Sequence, residues 1–193
     1  MELSKIAQNA GGSVIREMFN EALKLNDTIS FTVGEPDFVT PQPIIEEACR
    51  DWMAGKTHYT PNSGVLELRK AIAEYHANDL KPNPEDQIMV GCGATEVIQM
   101  ALFTLVDPGD EVIIVTPAWP NYFGQLAMVG AVPKIVVARE ENSFVPDPDD
   151  AKAAITDKTK LIILNSPSNP PAQLWTTTPA RHLPISCVTA ISM

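Results

Sequence analysis

Short apolar runs alternate with helical segments over residues 86–164, and this alternation restricts the chain to an α/β architecture. Strand-like runs lie at residues 87–90, 111–116, 132–137 and 160–164. Segments with helical spacing lie between them, near residues 95–106, 121–129 and 149–155. Residues 161–164 read Leu-Ile-Ile-Leu, and a run that is apolar at every position is typical of a strand buried on both faces. We therefore predict a mostly parallel sheet flanked by helices.

The residues before this region have a different pattern, in which helical spacing dominates. A helix is expected around residues 14–23, and a short strand at 29–33 ends at the turn residues 34–37. Two further helices are expected, one after Pro43 to about Met53 and one from 63–64 through Tyr75.

Composition and charge exclude several classes of partner. The formal net charge of −10 disfavours nucleic acid and anionic membranes, because both require a basic surface. No apolar run is long enough to span a membrane, and the first residues lack the apolar core of a secretion signal. Cys49, Cys92 and Cys187 are widely spaced and form no metal-binding or redox motif. We expect a cytoplasmic protein without a metal site.

Three segments that follow predicted strands carry residues suited to ligand binding. Residues 91–95, Gly-Cys-Gly-Ala-Thr, open a predicted helix, whose first N–H groups can bind a phosphate. Trp119 follows the strand at 111–116, and residues 165–170, Asn-Ser-Pro-Ser-Asn-Pro, follow the strand at 160–164. Ligands of open α/β sheets bind at the carboxyl ends of the strands. Taken singly, the two loops also fit ordinary turns, and Trp119 fits a core aromatic.

A fourth segment, residues 59–64, reads Tyr-Thr-Pro-Asn-Ser-Gly and precedes Leu68-Arg69. Its local interpretation is a helix start that is capped by Asn62 or Ser63.

In order and spacing these segments together resemble the class I/II aminotransferases, which are fold type I enzymes that use pyridoxal 5'-phosphate (PLP). The resemblance covers roughly residues 10–170 and is carried by Gly34-Glu35-Pro36-Asp37, Tyr59 through Arg69, Gly93-Ala94-Thr95, Pro117 to Tyr122, and Asn165 to Pro170. It implies PLP as cofactor, an amino acid and a 2-oxo acid as substrates, a role in amino-acid metabolism and a homodimer.

The resemblance also implies a role for each matching position. The turn at Gly93 and the backbone N–H groups of Ala94 and Thr95 would hold the PLP phosphate. Trp119 would stack on the pyridine ring, and Asn169 would donate to the ring's 3-oxygen. Gly34 would lie beside the substrate carboxylate. Tyr59 would reach the phosphate of the neighbouring subunit's cofactor. Glu35, Asp37 and Arg69 are expected to be structural.

Several residues that the family uses have no counterpart in this chain. Family members place an aspartate, a lysine that binds the cofactor covalently, and arginines after the Asn-Pro loop. All nine lysines of this chain precede Asn169, and none matches the family position. We therefore expect a truncated fragment with no catalytic residue of its own.

The resemblance stops within one residue, which suggests a shifted reading frame. The family's loop reads Asn-Pro-Thr-Gly, whereas this chain has Asn169-Pro170-Pro171-Ala172. A one-nucleotide shift permits a family-like continuation, with an aspartate forced at the Trp175–Thr176 junction. We expect residues 171–193 to be a disordered, frameshifted tail. The sheet would then be cut through its middle, with Leu161–Leu164 left as an edge or poorly covered.

The expected domain organisation follows from this comparison. Residues 1–42 should form an N-terminal arm and part of a small domain, and residues 43–170 part of the PLP-binding large domain. Two alternatives to an aminotransferase remain open, because a fold does not fix a function. One is another fold type I PLP enzyme, such as a lyase. The other is a remnant without enzymatic activity.

Overall fold

A computed structural model describes residues 2–9, 14–29, 31, 34–76 and 81–174. Contacts divide the chain into two compact units, one that joins the described residues up to Ile29 with those from Ala94 on, and one that contains the described residues between them. The described helices are, in chain order, α1 (Lys5–Asn9), α2 (Val14–Ala22), α3 (Gln42–Met53), α4 (Leu66–Tyr75), α5 (Ala94–Leu105), α6 (Asn121–Val129) and α7 (Pro148–Ala153). The expected domain boundaries at residues 42 and 170 stay a prediction.

A parallel three-stranded sheet forms the centre of the first unit. Its strands are β1 (Glu111–Thr116), β2 (Val132–Val137) and β3 (Thr159–Ile163), in the order β2-β1-β3. Ile114 of the central strand pairs with Ile135 on one side and with Ile163 on the other. The predicted α/β class with a parallel sheet and flanking helices is confirmed, and the third strand begins one residue earlier than predicted.

Two apolar clusters cover the two faces of this sheet. On one face, Val112 and Ile114 pack with Leu102 of α5 and Leu126 of α6. On the other face, four residues from all three strands pack with Ala151 of α7 and with Phe144. These strand residues are Ile113, Val115, Val136 and Ile162. Side chains alternate between the faces of a strand, so a strand covered on both faces must be apolar at every position.

β3 is an edge strand among the described residues, as expected, but it is well covered. Leu161 to Leu164 are all buried, with at most 5% of any of these residues exposed. Of the two expected outcomes, the edge position is thus found within the described residues, and poor cover is not. α6 and α7 pack on the faces of the strand and not on its edge, so burial of the side chains does not depend on a further strand.

The strand predicted at residues 87–90 is absent, because these residues have no strand partner within the described chain. Val90 N–H instead donates to the carbonyl of Ser63, at 3.1 Å. The strand predicted at 29–33 lies partly outside the described residues, and Ile29 and Phe31 are in neither helix nor strand.

The second unit contains the two predicted helices α3 and α4. Pro43 lies in the first turn of α3, where its missing N–H costs nothing. α4 begins at Leu66, and its N-cap position is Val65, which makes no side-chain cap. The expected cap by Asn62 or Ser63 is therefore wrong. Gly64, with φ of +90°, lies in the turn that precedes the helix.

The predicted tail lies largely outside the described residues, which end at Leu174. No helix of the described chain combines the length and apolar character needed to cross a membrane.

Candidate active site

A shallow cleft lies where the central strand and β3 end, in the first unit. It is lined by Ile114, Val115, Pro117, Ala118, Tyr122, Ile163, Asn165, Ser168 and Asn169. Parallel strands bring their carboxyl ends to one edge of the sheet, so the loops after β1 and β3 meet there. Asn169 is thus placed in the cleft, and the residue preceding Trp119 lines it. Trp119 itself does not line it.

The start of α5 is the second feature of this unit. The helix begins at Ala94, directly after Gly93, whose φ of +91° favours glycine. A Cβ at residue 93 would meet nothing within 4 Å, so the approach to the turn is open. The first N–H groups of a helix have no intrahelical acceptor, and the helix dipole makes this end positive. Such an end can bind an anionic group.

A side chain on α6 bonds to the first turn of α5. Gln125 Nε2 donates to the carbonyl of Thr95 at 2.8 Å, and Gln125 is buried. No motif in the sequence predicted a part for Gln125 in the site. The available signal was a glutamine on the face of α6 that is otherwise apolar.

Trp119 lies at the start of α6, partly buried against the cluster around Ile114. Its ring meets Tyr122 edge to face, with centroids 5.4 Å apart and an interplanar angle of 85°. Burial raises the pKa of the Tyr122 hydroxyl above its ordinary value. Because Trp119 is only partly buried, part of its surface is open to a ligand.

The loop after β3 is closed by short hydrogen bonds around Ser168. Its N–H donates to the carbonyl of Gln173 at 2.9 Å, and its hydroxyl accepts from the N–H of Gln173 at 3.1 Å. Ala172 N–H donates to the carbonyl of Ser168 at 2.7 Å. These bonds fix the backbone on both sides of Asn169, whose side chain is exposed. The peptide bonds before Pro117, Pro167 and Pro170 are cis.

The other two predicted site residues, Gly34 and Tyr59, belong to the second unit. Both are exposed, and Tyr59 is fully so. Gly34 has no atom within 4 Å of a Cβ that would be added there. Their predicted roles, like those of Ala94, Thr95, Trp119 and Asn169, stay predictions.

A cleft at the carboxyl edge of a parallel sheet and the N-terminus of a helix are both places where α/β proteins can bind a phosphate-bearing ligand. Comparison with known proteins agrees with this class. The profile of "Aminotransferase class I and II" matches residues 26–183, and the chain therefore belongs to this family. The match continues past Pro170, where the resemblance was expected to stop.

Curated relatives share substantial identity with the chain. It is 42% identical over 174 residues to a probable aspartate aminotransferase of Methanocaldococcus jannaschii, covering 90% of this chain and 45% of the relative. It is also 42% identical over 159 residues to an aspartate aminotransferase of Pyrococcus horikoshii, covering 82% and 41%. The chain thus spans less than half the length of these two relatives.

Solved structures of aspartate aminotransferases are also similar to this chain. An aspartate aminotransferase from Thermus thermophilus with maleate superimposes with a TM-score of 0.84 at 38% identity, covering 88% of this chain and 46% of that one. An aspartate aminotransferase from Rhizobium meliloti gives a TM-score of 0.90 at 29% identity, covering 99% and 50%.

The family implies PLP as the cofactor. The described residues fit part of the PLP molecule. The open N-terminus of α5 suits its phosphate, the exposed part of Trp119 suits an aromatic ring, and the Asn169 amide is free to donate from the cleft. No cluster of metal-ligating side chains occurs in the described part of the chain.

Proposed function

We propose that this chain supplies the phosphate and ring-stacking part of a PLP-dependent aminotransferase that moves an amino group between an amino acid and a 2-oxo acid. The observation that carries the proposal is the open N-terminus of α5 beside α6, in a chain of this family. A helix N-terminus that follows a glycine with positive φ lets a phosphate approach the backbone closely.

Each residue of the site has a defined part in this proposal. The N–H groups of Ala94 and Thr95 bind the phosphate, and Gly93 keeps the approach free of a side chain. Trp119 lies over the cofactor ring, and Asn169 donates to the ring's 3-oxygen. When bound, PLP withdraws electrons from the substrate carbon that carries the amino group. The protein residues orient the ring and keep it in place.

Roles are also proposed for Gly34 and Tyr59, which belong to the second unit. Gly34 lies beside the substrate carboxylate, where a side chain would obstruct it. Tyr59 is fully exposed, which suits a residue that reaches the cofactor phosphate of a partner in a homodimer. Similar proteins are named aspartate, aromatic-amino-acid and alanine aminotransferases, so the proposal specifies α-amino acids as a class. The cytoplasm is the proposed compartment.

The 193 residues alone are proposed to be inactive. All nine lysines precede Asn169, so none can occupy the position that the family uses for covalent attachment. A second candidate is that these residues form a remnant that binds PLP weakly or not at all.

A shifted reading frame from residue 171 is the proposed origin of this difference. Ala172 stands where the family has glycine, and it has a φ of +58°, a conformation that favours glycine. Sequencing the coding DNA tests this point. Adding one nucleotide at codon 171 should open a frame with a lysine, and an early stop in that frame would contradict the proposal.

PLP binding tests the site itself. Equilibrium dialysis should show binding by the full chain, and Trp119→Ala should weaken it about fivefold, because an aromatic pair contributes about 1 kcal/mol beyond area burial. Trp52→Ala is the matched control, since Trp52 is an exposed tryptophan on α3. An unchanged affinity in Trp119→Ala would refute the stacking role.

The same protein sample tests whether any lysine of this chain attaches PLP covalently. After borohydride reduction with PLP, peptide mapping should find scattered, substoichiometric labelling. One lysine that is labelled stoichiometrically would show that this chain attaches the cofactor after all.

A further inference from the structure

Gln125 is a polar side chain in an apolar helix interface. It lies on α6, is 5% exposed, and donates from Nε2 to the carbonyl of Thr95 in the first turn of α5. Burying an amide is unfavourable unless its atoms are hydrogen-bonded, so an apolar residue of similar shape would be the simpler choice for packing alone.

The other amide atom of Gln125 has no partner. Oε1 is buried and unbonded, and on α5 the Nε2 atom of Gln99 is likewise buried and unbonded. One atom is an acceptor and the other a donor, so their hydrogen-bonding needs are complementary. Gln99 lies one helical turn after Thr95, on the face of α5 that Gln125 contacts.

We propose that Gln99 and Gln125 form one polar link between α5 and α6, and that Gln125 is a positioning residue for the first turn of α5. The unpaired atoms meet after a small side-chain rotation or through one buried water, and either arrangement couples the two residues. The link holds the carbonyl of Thr95, and with it the N–H groups at the start of the helix. That this turn receives the cofactor phosphate rests on the proposed function.

A double-mutant cycle tests the coupling in the full chain without cofactor. Gln99→Met and Gln125→Met keep the side-chain length and remove the amide. Each should lower the thermal midpoint by about 2–6 °C, since a buried polar group is left unpaired. The thermal midpoint of the double variant should fall by clearly less than the sum of the two single shifts, because neither unpaired amide atom remains. Additive shifts would overturn the link.

Hydrogen exchange tests the positioning role. The amides of Ile98 and Gln99 bond to the carbonyls of Ala94 and Thr95 in a regular helix, so their exchange reports whether the first turn is closed. Gln125→Met should speed this exchange at least tenfold and leave the amides of β2 unchanged. Equal acceleration at both places would mean a general loss of stability and would overturn the positioning role.

Two further variants complete the design. Gln42→Met, on the exposed surface of α3, is the control and should change neither readout. Gln125→Glu restores a donor to Thr95 only when its carboxyl is protonated, so its exchange should approach that of the unchanged chain as the pH falls. The rates are compared at each pH as a ratio to the unchanged chain, and a ratio that does not fall with pH would contradict the bond to Thr95.

The outcomes separate this inference from the proposed function. If the full chain fails to bind PLP but Gln125→Met opens the first turn, the positioning role stands and the cofactor role falls. If PLP binds and the first turn is unaffected, the positioning role falls and the proposed function stands.

Discussion

Gly64 and Val90 lie so close together that a Cβ added to residue 64 would be 2.9 Å from the Val90 Cβ. The same two segments are joined by the hydrogen bond from Val90 N–H to the carbonyl of Ser63. Residue 64 also has a φ of +90°. Backbone conformation and space therefore both require glycine at this turn.

Gly64→Ala should lower the free energy of unfolding by about 2–4 kcal/mol, through left-handed strain together with overpacking. Gly55→Ala separates the two effects, because Gly55 has a φ of +76° and no atom within 4 Å of an added Cβ. It should cost only about 1 kcal/mol. Urea unfolding followed by circular dichroism gives both values, and equal losses would show that contact with Val90 is unimportant.

Arg69 should be among the most sensitive charged residues of the second unit. It is buried, and its guanidinium donates to three carbonyls, those of Gly64 at 3.1 Å, Pro84 at 2.5 Å and Glu85 at 2.9 Å. Arg69→Met should cost about 2–4 kcal/mol, since hydrogen bonds from charged donors are strong and the carbonyls lose their partner.

Arg50→Met is the control for this change. Arg50 is exposed on α3 and pairs with Glu47, and an exposed ion pair contributes at most about 1 kcal/mol. The denaturant midpoints of the two variants measure their losses of stability. A loss for Arg69→Met no larger than that for Arg50→Met would mean that the carbonyl bonds are replaced by water.

Glu111 makes the sheet sensitive to acid. The Thr156 hydroxyl donates to its carboxylate at 2.6 Å, and Lys134 lies at 3.6 Å; both hold the pKa of this carboxyl below its ordinary value. A carboxyl whose pKa is lowered by folding adds stability above its unfolded pKa, and this contribution is lost as the pH falls through the folded value.

Glu111→Gln should therefore destabilise the chain at pH 7, and the difference from the unchanged chain should shrink below about pH 4, near the ordinary glutamate pKa. Glu74→Gln, at an exposed position on α4, is the control for the removal of one carboxylate charge. Urea midpoints across this pH range are the measurement. A difference that is constant with pH would contradict the electrostatic explanation.

Ala172→Gly should stabilise the loop around Ser168. Its φ of +58° costs an alanine about 1–2 kcal/mol, whereas glycine adopts this region freely. We expect a net gain of about 0.5–1 kcal/mol, because glycine also loses more backbone entropy on folding. Ala54→Gly, at a φ of −78°, should instead destabilise. Thermal midpoints that fall in both variants would show that the left-handed conformation is not held in solution.

Elements whose signals are local could be predicted from the sequence. The bounds of α6 are those that its apolar spacing indicated, and the helix ends at Gly130, whose φ of +73° is left-handed. The absence of a strand at 87–90 could not be predicted, because a strand needs a partner that its own sequence does not reveal. The start of α4 was misplaced because its first turn follows a glycine turn and carries no side-chain cap.

The candidate site likewise has features that the sequence predicts and one that it does not. That Asn169 and the residues beside Trp119 meet at one edge follows from parallel strands, which the sequence indicated. The contact between Gln125 and Thr95 depends on how two helices pack, 30 positions apart in the chain. Periodicity marks which face of each helix is apolar, but it does not specify which polar side chain crosses the interface.

The strand order β2-β1-β3 also has a kinetic consequence. β1 and β2 are separated by a short crossover through α6, whereas β3 joins the opposite side of β1 after a much longer stretch of chain. Closing a longer loop costs more entropy before any contact repays it. We therefore expect β1, α6 and β2 to assemble first, with β3 added in a later and slower step on the free side of β1.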